Sequence, residues 1–426
     1  MNIYKYPDRN TWDELIKRPL LDTSFLETKV QTILSDIKQN GDEAVRRYTL
    51  QYDKAAIGNL LVQENEINEG TGKVDEKLKT AILQAKENIA KFHIAQREEL
   101  KIIETMPGVK CWRKSVPVEK VGLYIPGGTA PLFSTILMLG IPAKIAGCKD
   151  IILCTPPDSY SNIHPAIIYT AKLVGISKIF KIGGVQAIAA MAYGTESVPE
   201  VNKIFGPGNQ YVMCAKQLVN KEGVAIDMPA GPSEVAVLAD ESCLPDFVAA
   251  DLLSQAEHGV DSQVLLVTTA KGVIENVEKK IKQQLDNLPR KKIAEQALSN
   301  SKSVLVKSMD EAVELINAYA PEHLIISCRD DDKIVEKVIN AGSVFLGNYS
   351  PESAGDYASG TNHTLPTNGH AKAYSGVSLD SFIKKITFQK LSQEGLQHIA
   401  MAVETMAAAE GLEAHKRAIS IRLKNE

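Results

Sequence analysis

From about Val116 to residue 346 the chain repeats one pattern, in which short β-branched apolar runs alternate with helical segments of 10 to 15 residues. Crossover helices of that length make successive strands run parallel and cover both faces of the resulting sheet. The pattern forms two successive blocks. The first predicts strands near 121–125, 150–154, 178–182 and 203–205, with helices near 131–146, 163–174, 185–193 and 209–219. The second predicts strands near 233–239, 262–269, 303–307, 323–328 and 343–346, with helices near 245–258, 271–285, 310–319 and 331–340. A Pro/Gly-rich joint, Asp227-Met-Pro-Ala-Gly-Pro-Ser233, separates them. The expectation is an α/β fold of two consecutive, incomplete Rossmann-like parallel-sheet domains with a helical N-terminal arm and a helical C-terminal tail.

The flanks differ from this centre. Residues 24–50 and 75–105 carry helical stripes, Val30, Ile33, Leu34 and Ile37 and then Leu78, Ile82, Ala85, Ile89 and Phe92, which read as core faces. After Asp380 the alternation stops, and 393–423 reads as one helical stretch, broken at most around Gly411. Its apolar positions Leu396, Ile399, Val403 and Met406 need a surface to pack on, either another domain or another subunit.

Composition narrows the function classes. At 426 residues the chain has room for two or three domains. A net charge of -4 leaves no broad basic surface for nucleic acid and no polybasic membrane patch. The longest apolar stretch, Leu132 to Ala143, is too short to span a bilayer, and the opening residues do not resemble a secretory signal. The expectation is a cytoplasmic protein with no nucleic-acid or membrane partner. Six cysteines without any C-x-x-C suit buried, reduced thiols better than a disulfide framework, with a nucleophilic cysteine as the alternative.

Several short segments could carry chemistry. Asp251-Leu-Leu-Ser-Gln-Ala-Glu-His-Gly259 puts Gln255 and His258 three apart, on one face of a helix end. They are either two metal-competent side chains or a polar face closing the helix. Three glycine turns end strands of the first block: Leu123-Tyr-Ile-Pro-Gly-Gly-Thr129, Ile182-Gly-Gly-Val-Gln186 and Phe205-Gly-Pro-Gly-Asn209. None is G-x-G-x-x-G, and no Walker A motif is present. Such turns either just connect strand to helix or line a nucleotide cleft. Glu322-His323 pairs a carboxylate with an imidazole at a strand start, which suits acid/base work or a solvated loop equally. Asp356 lies in a polar loop ending at His363, and Glu410 and His415 lie in the tail.

Taken together and in this order, Gln255, His258, Glu322, His323, Asp356, Glu410 and His415 resemble the histidinol dehydrogenase family. The likeness runs from about residue 20 to 422 and includes Tyr-Ile-Pro-Gly-Gly at 124–128, Gly-Pro-Gly-Asn at 206–209 and Ile-Asp-Met-Pro-Ala-Gly-Pro-Ser-Glu at 226–234. It implies four-electron oxidation of L-histidinol to L-histidine through the aldehyde with two NAD, the last step of histidine biosynthesis. It further implies one zinc ion per subunit held by Gln255, His258, Asp356 and His415, substrate contacts from Ser233, Glu410 and His323 as well, and an NAD site lined by Tyr124, Gln186 and Asn209. Under this resemblance Glu322 and His323 are the catalytic acid/base groups, and no cysteine sits in these motifs to form a thiohemiacetal. The implied organisation is an arm (1–20), a zinc-bearing catalytic domain (21–120 with 233–378), an NAD-binding domain (121–232) and a tail (379–426) exchanged in a homodimer with shared active sites. A zinc hydrolase and a non-catalytic scaffold on the same sheets are the competing classes; the glycine turns argue against the first.

Overall fold

The computed structural model describes residues 1–18, 24–127 and 131–424. The expected boundary at 20/21, and Gly128 and Thr129 of the first glycine turn, lie outside the described residues.

Strands are numbered along the chain. The arm contributes β1 (Asn2–Lys5). After the N-terminal helices come β2 (Ile102–Met106) and β3 (Val109–Pro117). The first block supplies β4 (Lys120–Tyr124), β5 (Asp150–Thr155), β6 (Lys178–Lys181), β7 (Lys203–Phe205) and β8 (Ala225–Ile226). The second supplies β9 (Glu234–Ala239), β10 (Gln263–Thr268), β11 (Lys302–Leu305), β12 (His323–Ser327) and β13 (Ser343–Leu346). β14 (Ile383–Leu391) precedes the tail.

Both blocks form parallel sheets, as the alternation predicts. The first has the order β6-β5-β4-β7-β8 and the second β1-β11-β10-β9-β12-β13. In each, the chain starts mid-sheet, grows to one side and returns to the other, so the direction reverses between β4 and β7 and between β9 and β12. Such a reversal opens a crevice between diverging crossover segments. β9 and β10 are buried at every residue, as strands covered on both faces must be.

The apolar run Leu132 to Ala143 has its explanation here. It builds the helix Phe133–Ala146, buried along most of its length in the core of the first sheet beside Leu123, Leu153 and Phe205. Among the described residues no helix is long and apolar enough to cross a membrane. The helix Ser24–Asp53 is interrupted at Gly41 (φ 51°, ψ −135°) and packs its Val30, Ile33, Leu34 and Ile37 stripe into the same core as Ile188 of the helix Gly184–Tyr193. The helices of residues 24–94 therefore share their cores with the five-stranded sheet.

The structure differs from the sequence pattern at several points, and the two-residue edge strand β8 is one of them. The arm adds β1 to the edge of the second sheet, pairing with β11. A third sheet, β14-β3-β2, is antiparallel, with Ile383 to Leu391 in unbroken register against Pro117 to Val109. A further helix, Lys291–Ser299, was not expected, and the one expected near 331–340 covers only Asp331–Val335. The tail is two helices, Gln393–Ala409 and Glu413–Leu423, joined through Gly411 at φ 73°.

Candidate functional site

The chemistry-bearing residues of the second block collect at the amino-terminal edge of its sheet, beside the β9/β12 reversal. Glu234 opens β9 and His323 opens the neighbouring β12, with His323 in register with Val235. The peptide groups of Glu234 therefore lie against the Glu322-His323 pair. Glu234 N–H donates to Glu322 Oε2 (2.9 Å), and the Glu234 carbonyl accepts from His323 Nδ1 (3.2 Å). That bond puts the ring proton on Nδ1 and turns Nε2 inward. Asp356 Oδ1 stands 3.4 Å from Nε2 without hydrogen-bond alignment, so Nε2 is buried with no hydrogen-bond partner.

Asp356 belongs to the short helix Glu352–Tyr357. Its carbonyl accepts from His363 Nδ1 (2.8 Å), and His363 Nε2 meets Thr135 Oγ1 (3.0 Å), which ties this centre to the helix Phe133–Ala146 of the first sheet. Four residues before Asp356, on the same helix face, is Glu352, a buried carboxylate that sequence reasoning missed. It accepts from Ser254 Oγ (2.7 Å) and, with the Gln255 amide oriented to satisfy its neighbours, from Gln255 Nε2 at 3.1 and 3.2 Å. Gln255 Oε1 then faces Glu234 N–H at 3.2 Å. The i, i+4 spacing of Glu352 and Asp356 was the available signal. The Glu234 side chain faces a different partner, forming a two-armed ion pair with Arg18, whose guanidinium lies 4.0 Å from the Tyr319 ring centroid.

Electrostatics follow from this crowding. Burial pushes the Glu322 and Glu352 carboxyls above the ordinary carboxylate range. Burial alone would lower His323, but Glu322, Asp356 and Glu352 outweigh it and raise the ring's pKa. Asp356 is held low against its burial by His323, His363 and His258. The His258 ring is lowered by desolvation, although the residue is exposed at the surface.

The structure thus brings Gln255, His258, Glu322, His323 and Asp356 together, with Ser233 directly ahead of Glu234. It does not bring Glu410 or His415 to them. Both are exposed on the tail, whose two helices pack on each other. Among the described residues of this single chain, no group of three or more His, Cys, Asp or Glu is arranged to hold a metal ion. All six cysteines are free, and burial raises the Cys148, Cys154, Cys214, Cys243 and Cys328 thiols, so these five are poor nucleophiles.

A second site lies at the carboxyl edge of the five-stranded sheet, where a cleft of about 990 Å³ is lined by Tyr124, Gln186 and Asn209. Tyr124 ends β4, and its hydroxyl accepts from Gly184 N–H (3.0 Å). Gln186 Nε2 donates to Asp53 Oδ2 (3.1 Å), while Gln186 Oε1 is buried without a partner. Asn209 caps the helix Gln210–Lys221 through Tyr211 N–H and Val212 N–H. Gly206 adopts φ 128°, and a Cβ there would collide with the Tyr124 carbonyl. A buried ion pair clamps this turn: Lys216 Nζ donates to the Gly206 carbonyl (2.8 Å) and contacts Asp227, whose Oδ2 accepts from Gly206 N–H (2.8 Å). Asp53, Lys216 and Asp227 had no role in the sequence reading; Lys216 and Asp53 sit inside helices that look purely structural.

Comparison with known proteins agrees across the chain. The family model described as histidinol dehydrogenase matches residues 16–423. The histidinol dehydrogenase of Bacteroides thetaiotaomicron is 62% identical over 423 residues, covering 99% of each chain. That of Bacteroides fragilis is 62% identical over 424 residues, covering 100% of this chain and 99% of the relative. The crystal structure of histidinol dehydrogenase from Elizabethkingia anophelis superposes with a TM-score of 0.98 at 55% identity, covering 100% of this chain and 98% of that one.

Proposed function

The chain belongs to the histidinol dehydrogenase family, and from that premise we propose that it oxidises L-histidinol to L-histidine through the aldehyde, with two NAD and one zinc ion per subunit, as the last step of histidine biosynthesis. The observation that carries this reading is His323 Nε2, buried and unpartnered, with the carboxylates Glu322 and Asp356 beside it.

The donor chemistry suits zinc, which accepts mixed N and O ligands. Gln255, His258 and Asp356 supply an amide, an imidazole and a carboxylate from one chain, and His415 of a second chain completes the set. Bound there, zinc would supply a Lewis acid that accepts nitrogen donors and so positions the histidinol. Ser233, and Glu410 from the exchanged tail, hold the rest of the substrate.

His323 Nε2 takes the hydroxyl proton as hydride leaves the carbinol carbon for the nicotinamide, giving the aldehyde and NADH. Asp356 is one of the carboxylates that raise His323, and a carboxylate committed to a cation exerts less of that pull. Water then adds to the aldehyde carbon: Glu322 accepts the water proton and His323 returns its proton to the carbonyl oxygen. The resulting hydrate loses a second hydride to a second NAD and a second proton to His323, leaving the carboxylic acid. We assign residues 121–232 to dinucleotide binding and 233–378 to the chemistry, with 379–426 exchanged between the subunits of a homodimer. The free thiols favour a reducing, cytoplasmic setting.

The test is NADH formation by zinc-loaded protein with histidinol and NAD. About two NADH per histidinol is the expected result, and no NADH would overturn the reading.

A further inference from the structure

We propose that Asp53 binds the adenosine ribose of the dinucleotide and makes the cleft selective for the cofactor without a 2′-phosphate. This rests on the NAD reading of the cleft and adds the residue that enforces it. In doubly wound sheets, a carboxylate near the end of the second strand commonly accepts from the ribose 2′-hydroxyl. Here β5 is that strand, and it runs out into Thr155-Pro-Pro-Asp158. Asp158 is held in its own turn, where its Oδ1 accepts from Tyr160 N–H (2.9 Å) and Asn162 N–H (2.8 Å).

Asp53 fills the vacant position from outside the βαβ units, at the end of the helix Ser24–Asp53. A Cβ built on Gly183, two residues past β6, would lie 3.1 Å from Asp53 Oδ1 and against Pro156, just past β5. The carboxylate therefore sits over the ends of β5 and β6, away from the β4/β7 reversal and on the side where the adenosine half belongs.

Its surroundings specify the ligand chemistry. Asp53 Oδ2 is bonded to Gln186 Nε2, leaving Oδ1 without a hydrogen bond among the described residues. The neighbouring Gln186 Oε1 is likewise unpartnered, with only 1% of the residue exposed. The free Asp53 Oδ1 matches an O–H donor of a ribose diol. A 2′-phosphate would replace one donor with a dianion facing a carboxylate. The cleft lysines are placed elsewhere, Lys73 in an ion pair with Glu69 (2.7 Å) and Lys29 over the Tyr211 ring (5.3 Å).

The experiment compares NADH, NADPH, AMP and adenosine 2′-monophosphate binding by calorimetry, alongside kcat/KM for NAD and NADP, in the full-length parent, Asp53→Asn and Asp53→Ser. Asp53→Asn is near-isosteric, and thermal melting checks that each variant is folded. The parent is expected to prefer the unphosphorylated ligand in each pair. Asp53→Asn is expected to weaken NADH binding and to shrink that preference by about tenfold or more, the scale of a lost charge-assisted bond plus a relieved repulsion. A folded variant whose preference ratio is unchanged overturns the proposal, even if its NADH affinity falls, because Asp53 would then touch some other part of the cofactor. A parent that binds neither NADH nor NADPH overturns the NAD reading itself, a distinct outcome.

Discussion

At the scale of single residues, the reaction centre depends on two peptide groups of Glu234 orienting Glu322 and His323. Replacing Glu322 with Gln keeps shape and removes the proposed base for hydration, so aldehyde oxidation should fall by about 10²–10⁴-fold and more steeply than alcohol oxidation. Equal losses in assays started from histidinol and from histidinaldehyde would argue against that division of labour. A metal bound only by the folded state stabilises it, by about 2.7 kcal/mol at a hundredfold excess over Kd. Zinc should therefore raise the unfolding temperature of the parent and have little effect on His258→Ala; an equal rise in both would remove His258 from the ligand set. Asp53 makes a separate pH prediction. Burial raises its pKa from 3.8 to about 6, so the folded state favours the neutral acid. Its contribution to stability is fully present below about pH 4 and is lost as pH rises through about 6. Asp53→Asn should match the parent near pH 4 and exceed it above pH 6 by about 1 kcal/mol, once the partial exposure of Asp53 is allowed for. Chemical denaturation at the two pH values measures this directly.

At the scale of elements, the proposed dinucleotide cleft is built by turns more than by side chains. The Gly206 turn needs φ 128° and direct contact with the end of β4, so Gly206→Ala should displace Tyr124 and raise KM for NAD while KM for histidinol changes little. Lys216→Met leaves Asp227 buried and uncompensated, at a cost of about 3–5 kcal/mol in denaturant unfolding. A loss below 1 kcal/mol would mean that the pair does not hold the turn. Most strands and helices were legible because their periodicity is local: apart from the two-residue β8, which was not expected, each parallel strand of the two central blocks falls within two or three residues of its expected position. β2, β3 and β14 were not legible. β2 and β3 form a local hairpin that falls where the helical stripe of residues 75–105 was expected to end, whereas β3 pairs with β14 across more than 260 positions, as Trp112 with Phe388 shows, and no local pattern records such a partner.

At the scale of the whole molecule, one chain leaves Glu410 and His415 apart from the proposed centre and several large apolar side chains exposed. Ile102, Ile103 and Met106 of the antiparallel sheet, and Met401 and Met406 of the tail, are exposed, with Met401 at 80%. Exposed apolar side chains on these two elements suit a covered interface, in keeping with the proposed exchanged-tail dimer. Subunits carrying His415→Ala, mixed under exchange conditions with subunits carrying His323→Ala, should regain activity, since one composite site then has both residues intact. No recovery in verified heterodimers would refute site sharing. Phe388→Asp, on the same open sheet, should shift the protein toward monomer in sedimentation. The sequence by itself determined the two parallel sheets, the glycine turns and the family, because alternation and long local motifs are written in neighbouring residues. Only the tertiary structure decided that Glu234, Gln255, Glu322, His323, Glu352 and Asp356 meet at one sheet edge, that Asp53 enters the cleft from a distant helix, and that Glu410 and His415 stand apart from both. Those relations depend on which strand lies beside which and on where each helix ends, and contacts across hundreds of residues are set by packing of the folded chain.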